Sequence, residues 1–134
     1  MTAYIEIKAR FDELANVRWA EELREAGVKV VKPIGNFKVH SKITQIIRKE
    51  GKIEESFLHL GTGNYHPGTA TQYTDIGLLT ADKKLGKEAA NYFRALRKRE
   101  KPSGYEDLLV APGNLHDQVL FLIRQETKIQ KSGG

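Results

Sequence analysis

The chain has 134 residues, 40% of them hydrophobic and 29% charged, which indicates one ordinary globular domain and excludes a disordered tail. It contains no cysteine, which excludes disulfide scaffolds, thiolate zinc sites and cysteine nucleophiles. The 22 Lys and Arg residues outnumber the 17 Asp and Glu residues, and this basic excess favours a polyanionic partner or reflects a protein that is merely basic.

The first thirty residues predict a strand, a helix and a second strand. Tyr4–Ala9 alternates apolar and polar residues, which is the period of a half-buried strand. Asp12 is placed to cap the helix that follows, and Gly27 to end it. Val28–Val31 is the second strand, and a helical crossover between two strands predicts parallel pairing.

The middle of the chain predicts an antiparallel hairpin. Its strands are Val39–Ile47 and Ser56–Leu60, and the turn between them contains Gly51. A loop rich in Gly, Thr and Pro then extends to Tyr73, and Ile76–Leu79 is a candidate fourth strand.

The last part predicts two helices separated by a linker. The first covers Lys83–Arg99, and Lys101–Gly104 breaks the chain after it. Leu108–Ala111 is expected to be a short buried strand, and Asn114 is expected to cap the final helix. The predicted fold class is α/β, with a mixed β-sheet flanked by helices.

The segment from Lys38 to Lys42 is the first candidate site. Residues i, i+2 and i+4 of a strand share one face, so Lys38, His40 and Lys42 would point together. Two ammonium groups favour a neutral, nucleophilic imidazole between them and would neutralise the charge of a phosphoryl group under attack. The alternative is an exposed hairpin face on which these residues only add solubility.

The glycine turn Gly61–Asn64 is the second candidate site. Glycines let backbone N–H groups approach a phosphate, and the side chains of Thr62 and Asn64 add donors, although an ordinary loop has the same composition.

Arg10 ends the first strand, where a guanidinium suits phosphate binding or a surface salt bridge. Tyr73 is a candidate to stack on a base or to pack in a half-buried position.

Taken together, these motifs resemble the bacterial polyphosphate kinases of the phospholipase-D-like type, and the resemblance covers nearly the whole chain. The motifs that carry it are Ile7-Lys8-Ala9-Arg10-Phe11-Asp12-Glu13, Ala15-Asn16, Lys38-Val39-His40-Ser41-Lys42, His59-Leu60-Gly61-Thr62-Gly63-Asn64-Tyr65, Tyr73-Thr74-Asp75 and Leu78-Leu79-Thr80-Ala81-Asp82.

The resemblance implies reversible transfer of the terminal phosphoryl group of ATP to inorganic polyphosphate through a phosphohistidine. It places His40 at the phosphorylated position, Lys42 beside it as the second catalytic residue, and Tyr73 at the nucleotide. Arg10 stands at a family magnesium site, which we expect it to serve through phosphate oxygens because a guanidinium does not ligate Mg²⁺. His66 stands where many relatives have Asn, which should alter one loop contact.

The resemblance also implies that residues 1–104 are the second half of a first catalytic domain and residues 105–134 the start of a second. The chain is then expected to be inactive alone.

The expected partners are ATP or ADP and polyphosphate rather than nucleic acid. The full-length enzyme is expected to be a homo-oligomer, and its membrane association stays open. No apolar run approaches the about 20 residues of a membrane span and no secretory signal is present, so we expect a cytoplasmic location.

Two rival functions remain. A phospholipase-D-like phosphodiesterase or nuclease usually has Asp five residues after the lysine of His-x-Lys, but Ile47 occupies that position here. A basic module that binds phosphate chains or nucleic acid passively would need neither His40 nor magnesium.

Overall fold

The computed structural model of the protein describes residues 2–7, 21–30 and 39–133. The predictions for Arg10, for Lys38 and for the start of the first helix at Asp12 lie outside these residues. The described chain forms two compact units, Met1–Gly86 and Lys87–Gly134. No helix within the described ranges is long and apolar enough to cross a membrane.

The first unit contains a four-stranded sheet in the order β1-β2-β3-β4, with every neighbouring pair antiparallel. The strands are β1 (Thr2–Ile7), β2 (Lys42–Glu50), β3 (Ile53–Gly61) and β4 (Gly77–Thr80). The predicted hairpin is confirmed as β2 and β3, and Gly51 takes the positive φ of 58° that their tight turn requires.

The parallel pairing predicted for Val28–Val31 is wrong within the described residues. The helix containing residues 21–25 ends at Gly27 as predicted, with a φ of 81°. The N–H of Val28 donates to the carbonyl of Leu23 (2.8 Å) in the turn that ends this helix. Residues 28–30 consequently form no strand, and Val31 lies outside the described ranges.

One face of the sheet is the core of the first unit. Ile43 and Leu58 are buried there, and Gln45 is buried with them. The Gln45 amide donates to Ser56 Oγ (2.7 Å) and to the carbonyl of Gly86 (2.9 Å). These bonds satisfy the hydrogen-bonding groups of a buried amide. Side chains alternate along a strand, so the neighbours of these residues in β2 and β3 lie on the opposite face.

The helices confirm the predicted α/β class. Besides the helix that contains residues 21–25, they are α1 (Pro67–Ala70), α2 (Lys83–Lys98) and α3 (Leu115–Lys131). The boundary between the two units falls inside α2. The carboxylate of Asp82 accepts the N–H groups of Lys84 (2.9 Å) and Leu85 (2.8 Å), which fixes where α2 begins.

The short strand predicted at Leu108–Ala111 does not form, because side chains take up the backbone groups of this segment. The buried carboxylate of Glu88 accepts the N–H groups of Glu106 (2.9 Å), Asp107 (3.2 Å) and Leu108 (2.8 Å). N–H groups held in this way are not available to a strand ladder at those positions.

Asn114 precedes α3 as predicted, but its side chain makes no capping bond. Its Oδ1 accepts the N–H of Val110 (2.9 Å), and its Nδ2 donates to the carbonyls of Tyr105 (3.1 Å) and Leu108 (3.0 Å). Burial raises the pKa of the Tyr105 phenol beside this loop. Asn114 thus stabilises the loop before the helix rather than the helix itself.

Candidate phosphoryl-transfer site

The structure brings His40 and Lys42 into direct contact. His40 is exposed and lies two residues before Lys42, which is buried and is the first residue of β2. The Lys42 Nζ atom lies 3.0 Å from Nδ1 and 3.0 Å from Nε2 of the His40 ring. The ammonium group is therefore equidistant from the two ring nitrogens and does not approach along the lone pair of either one.

Strand register places the glycine turn beside this pair. Lys42 is directly opposite Gly61 in the β2–β3 ladder, and Thr44 is directly opposite His59. Directly paired residues of an antiparallel ladder project from the same face, so Lys42, Thr44 and His59 share one face. This face lies opposite the buried core, and we call it the Lys42 face.

The turn after Gly61 is bonded to the segment that precedes β4. Thr62 Oγ1 donates to Asp75 Oδ1 (2.8 Å) and accepts the N–H of Ile76 (3.0 Å), and the Thr62 N–H donates to the Ile76 carbonyl (3.0 Å). The Thr62 hydroxyl therefore positions the turn. Its predicted contact with phosphate stays a prediction.

Asp75 is a residue whose role sequence reasoning missed. A Cβ atom at Gly63 would overlap the Asp75 carboxylate, so position 63 admits this contact only as glycine. The sequence contained a partial signal, since Gly63 and Asp75 both lie in motifs of the family resemblance. The spacing of 12 residues did not reveal that they touch.

Asn64 has a buried side-chain oxygen without a hydrogen-bond partner in the described part of the chain. Rotation of the amide by 180° exchanges its oxygen and its NH₂ group, so the same position can offer a donor. A buried polar atom of this kind costs free energy unless a ligand or water completes its bonding. The placement is compatible with the predicted phosphate contact.

Tyr73 lies in the segment between α1 and β4, with 68% of its surface exposed. The Thr62–Asp75 bond ties this segment to the glycine turn two residues away from Tyr73. An exposed ring on an anchored segment is accessible to a ligand, and the predicted stacking of Tyr73 on a base stays a prediction.

His66, for which the sequence predicts an altered loop contact, lies at the start of α1. It is the N-cap of α1, and its Nδ1 accepts the Thr69 N–H at 3.3 Å. Asn is a common residue at this position because its side-chain oxygen makes the same bond. His66 therefore makes the bond that an Asn at this position would make, and the predicted difference from relatives stays a prediction.

Magnesium has no protein-made site in the described ranges, where no three His, Cys, Asp or Glu side chains come together. Mg²⁺ is commonly held by one or two carboxylates together with substrate phosphates and water. The described residues do not fit a cage made by the protein alone. Arg10, which the resemblance predicts to serve a magnesium site, lies outside the described residues.

We expect Gly63→Ala to slow phosphoryl transfer by about tenfold or more in the full-length enzyme, because the added methyl group displaces Asp75 and misplaces the turn. Asp75→Ala should cause a similar loss and also make room for the methyl group. Steady-state rates of the two single variants and the double variant test this, and the double variant should be no slower than Asp75→Ala within about twofold. A wild-type rate in Gly63→Ala, or additive losses, would contradict it.

Comparison with known proteins shows to which family the chain belongs. Residues 1–102 match the family described as "Polyphosphate kinase C-terminal domain 1". The chain belongs to the polyphosphate kinase family. A polyphosphate kinase of Xylella fastidiosa is 44% identical over 133 residues, and one of Halalkalibacterium halodurans is 43% identical over 134 residues.

A solved structure has the same fold. The crystal structure of polyphosphate kinase from Porphyromonas gingivalis matches 95% of this chain and 21% of its own with a TM-score of 0.76 and 33% identity. The chain spans 19% of the length of the Xylella and Halalkalibacterium relatives. The activity of a whole polyphosphate kinase therefore depends on residues beyond the part that this chain matches.

Proposed function

We propose that the full-length enzyme containing this chain transfers the terminal phosphoryl group of ATP reversibly to inorganic polyphosphate, through a phosphohistidine at His40. The observation that carries the proposal is the contact of the Lys42 ammonium group with both His40 ring nitrogens, beside the glycine turn. A nucleophile held next to a cation is the arrangement that phosphoryl transfer requires.

In the first half-reaction, an unprotonated ring nitrogen of His40 attacks the γ-phosphorus of ATP. An N–P bond forms, the bond from phosphorus to the β,γ-bridging oxygen breaks, and ADP leaves with that electron pair. Lys42 stabilises the charge on the oxygens of the transferring group. The ammonium group is already positioned against the ring, so little reorganisation precedes the transfer.

In the second half-reaction, a terminal oxygen of polyphosphate attacks the phosphorus on His40. A new P–O bond forms, the N–P bond breaks, and the imidazole recovers its electron pair. Each half-reaction moves one phosphoryl group between His40 and a terminal phosphate oxygen. The reverse transfer passes through the same transition state, so the same residues serve both directions.

The remaining predicted residues complete the proposal. Lys38, Arg10 and Asn64 would bind phosphate oxygens, and Tyr73 would stack on the adenine. Both donors of Thr62 are engaged, its hydroxyl with Asp75 and its N–H with Ile76, so its predicted phosphate contact would require one of these bonds to break. Magnesium would arrive on the phosphates of ATP and neutralise part of their charge.

The proposal includes the division of the chain at residues 104 and 105. Residues 1–104 would be the second half of one catalytic domain, and the matched family range supports a boundary there because it ends at residue 102. A cytoplasmic homo-oligomer is part of the same proposal.

Full-length enzyme with ATP and Mg²⁺ should form polyphosphate, and with ADP and polyphosphate it should form ATP. The isolated 134-residue chain should give no turnover, because one phosphoryl group needs donors from several directions and the chain spans 19% of its relatives. Its basic groups should still bind polyphosphate in a salt-sensitive manner.

The same assay separates the rival functions. Hydrolysis of a phosphodiester by the full-length enzyme without polyphosphate formation would favour a phosphodiesterase. Binding of polyphosphate with no reaction in either direction would favour a passive module. Turnover by the isolated chain at the full-length rate would contradict its dependence on the rest of the enzyme.

A further inference from the structure

A second histidine on the Lys42 face is held by a chain of hydroxyl groups. Thr44 Oγ1 donates to the Tyr65 hydroxyl oxygen at 3.0 Å, and that oxygen lies 2.6 Å from Nδ1 of His59. The rings of His59 and Tyr65 also pack with their centroids 5.5 Å apart. We call these three residues the Thr44–Tyr65–His59 chain.

Two glycines leave the space that the ring of His59 occupies. A Cβ atom at Gly61 would stand 3.1 Å from Cε1 of the ring, and one at Gly77 would stand 2.8 Å from Nε2. The two glycines are paired in the β3–β4 ladder, and Gly61 is also the partner of Lys42. The imidazole therefore lies over Gly61 and Gly77, on the face that also carries Lys42, in space that side chains at these positions would remove.

The chemistry of the three groups gives the hydrogen bonds a direction. Tyr65 has a single hydroxyl proton, and its oxygen already accepts from Thr44. A phenol O–H is a strong donor, and an unprotonated imidazole nitrogen is a strong acceptor. The Tyr65 proton is therefore directed to Nδ1, which leaves the ring proton of neutral His59 on Nε2.

We propose that Tyr65 is a positioning residue for phosphoryl transfer: held by Thr44, it fixes the proton of His59 on Nε2 and keeps this N–H available to a phosphate oxygen beside Lys42. The inference rests on the proposed function for its effect on the rate. Without the phenol, neutral His59 divides between two tautomers, and only one of them offers this donor.

The direct test compares Tyr65→Phe with wild type in the full-length enzyme, by ¹⁵N NMR of labelled histidines at about pH 8.5, where an ordinary imidazole is neutral. The His59 signals are assigned by their loss in His59→Gln. We expect the Nε2–H form alone in wild type and a mixture in Tyr65→Phe. A wild-type proton on Nδ1, or the same tautomer in both proteins, would overturn the proposal.

Kinetics on the same proteins provides the second readout. We expect kcat for polyphosphate formation to fall about 3- to 10-fold in Tyr65→Phe, the order set by one net hydrogen bond, with KM for ATP unchanged within about twofold. Thr44→Val should lose less, Thr44→Ser should retain the wild-type rate, and Thr44→Val should add nothing to Tyr65→Phe.

Tyr105→Phe is the matched control, since the Tyr105 hydroxyl is buried with no partner in the described part of the chain, and it should leave kcat unchanged. An unchanged kcat in Tyr65→Phe would overturn the effect on the rate. Absence of polyphosphate formation in wild type would instead contradict the proposed function, while the NMR comparison would still decide the tautomer.

Discussion

His40→Ala in the full-length enzyme is expected to abolish polyphosphate formation from ATP and ATP formation from polyphosphate. The imidazole forms the covalent intermediate in both directions, and a methyl group has no electron pair with which to replace it. Assays in the two directions should both fall below detection, a loss of at least about 10⁴-fold for a missing nucleophile.

The matched control is His116→Ala. His116 is exposed near the start of α3, where it pairs with Asp117 at 2.9 Å. Its removal changes the same atoms at a position outside the proposed site, and we expect the rate to stay within about twofold of wild type. If His40→Ala retained activity close to that of His116→Ala, the nucleophile would have to be another group.

Lys42→Ala should slow phosphoryl transfer by about 10²-fold or more, the loss expected when one group that stabilises transition-state charge is removed. Binding of ATP should weaken much less, because the ammonium group acts mainly on charge that develops during transfer. Single-turnover rates and equilibrium binding of ATP separate the two effects.

Lys49→Ala is a control on the same strand. Lys49 is an exposed residue of β2 and pairs with Glu54 at 2.8 Å. A surface ion pair of this kind contributes little to stability, and the rate should not change. A near-normal rate in Lys42→Ala would place Lys42 with such solubilising residues, which is the alternative that the sequence left open.

Local signals were sufficient for the central hairpin. Alternation from Val39 to Ile47, followed by Gly51 and a second alternating run, predicts β2 and β3, whose observed bounds are Lys42–Glu50 and Ile53–Gly61. Such a pattern works because a two-residue turn fixes the register of both strands. The contact of His40 with Lys42 did not arise from the predicted strand, because β2 begins at Lys42 and His40 precedes it.

Contacts between distant segments could not be predicted in this way. In place of the strand expected at Leu108–Ala111, the N–H groups of Glu106 and Leu108 donate to the carboxylate of Glu88. Glu88 lies in α2, 20 residues before Leu108. Tyr65 and Asp75 have no periodic pattern, and their partners are known only once the turn after β3 is closed. The sequence therefore predicted which residue types the site contains, but not which side chains hold them in place.

Mapping the phosphorylated residue tests the central proposal most directly. Full-length enzyme is mixed with γ-phosphate-labelled ATP and Mg²⁺, quenched at alkaline pH to preserve a phosphoramidate, digested and sequenced by mass spectrometry. We predict phosphate on His40, discharged by ADP or by polyphosphate and absent in His40→Ala. Phosphate on another residue such as His59, or an unlabelled enzyme that still makes polyphosphate, would contradict the account.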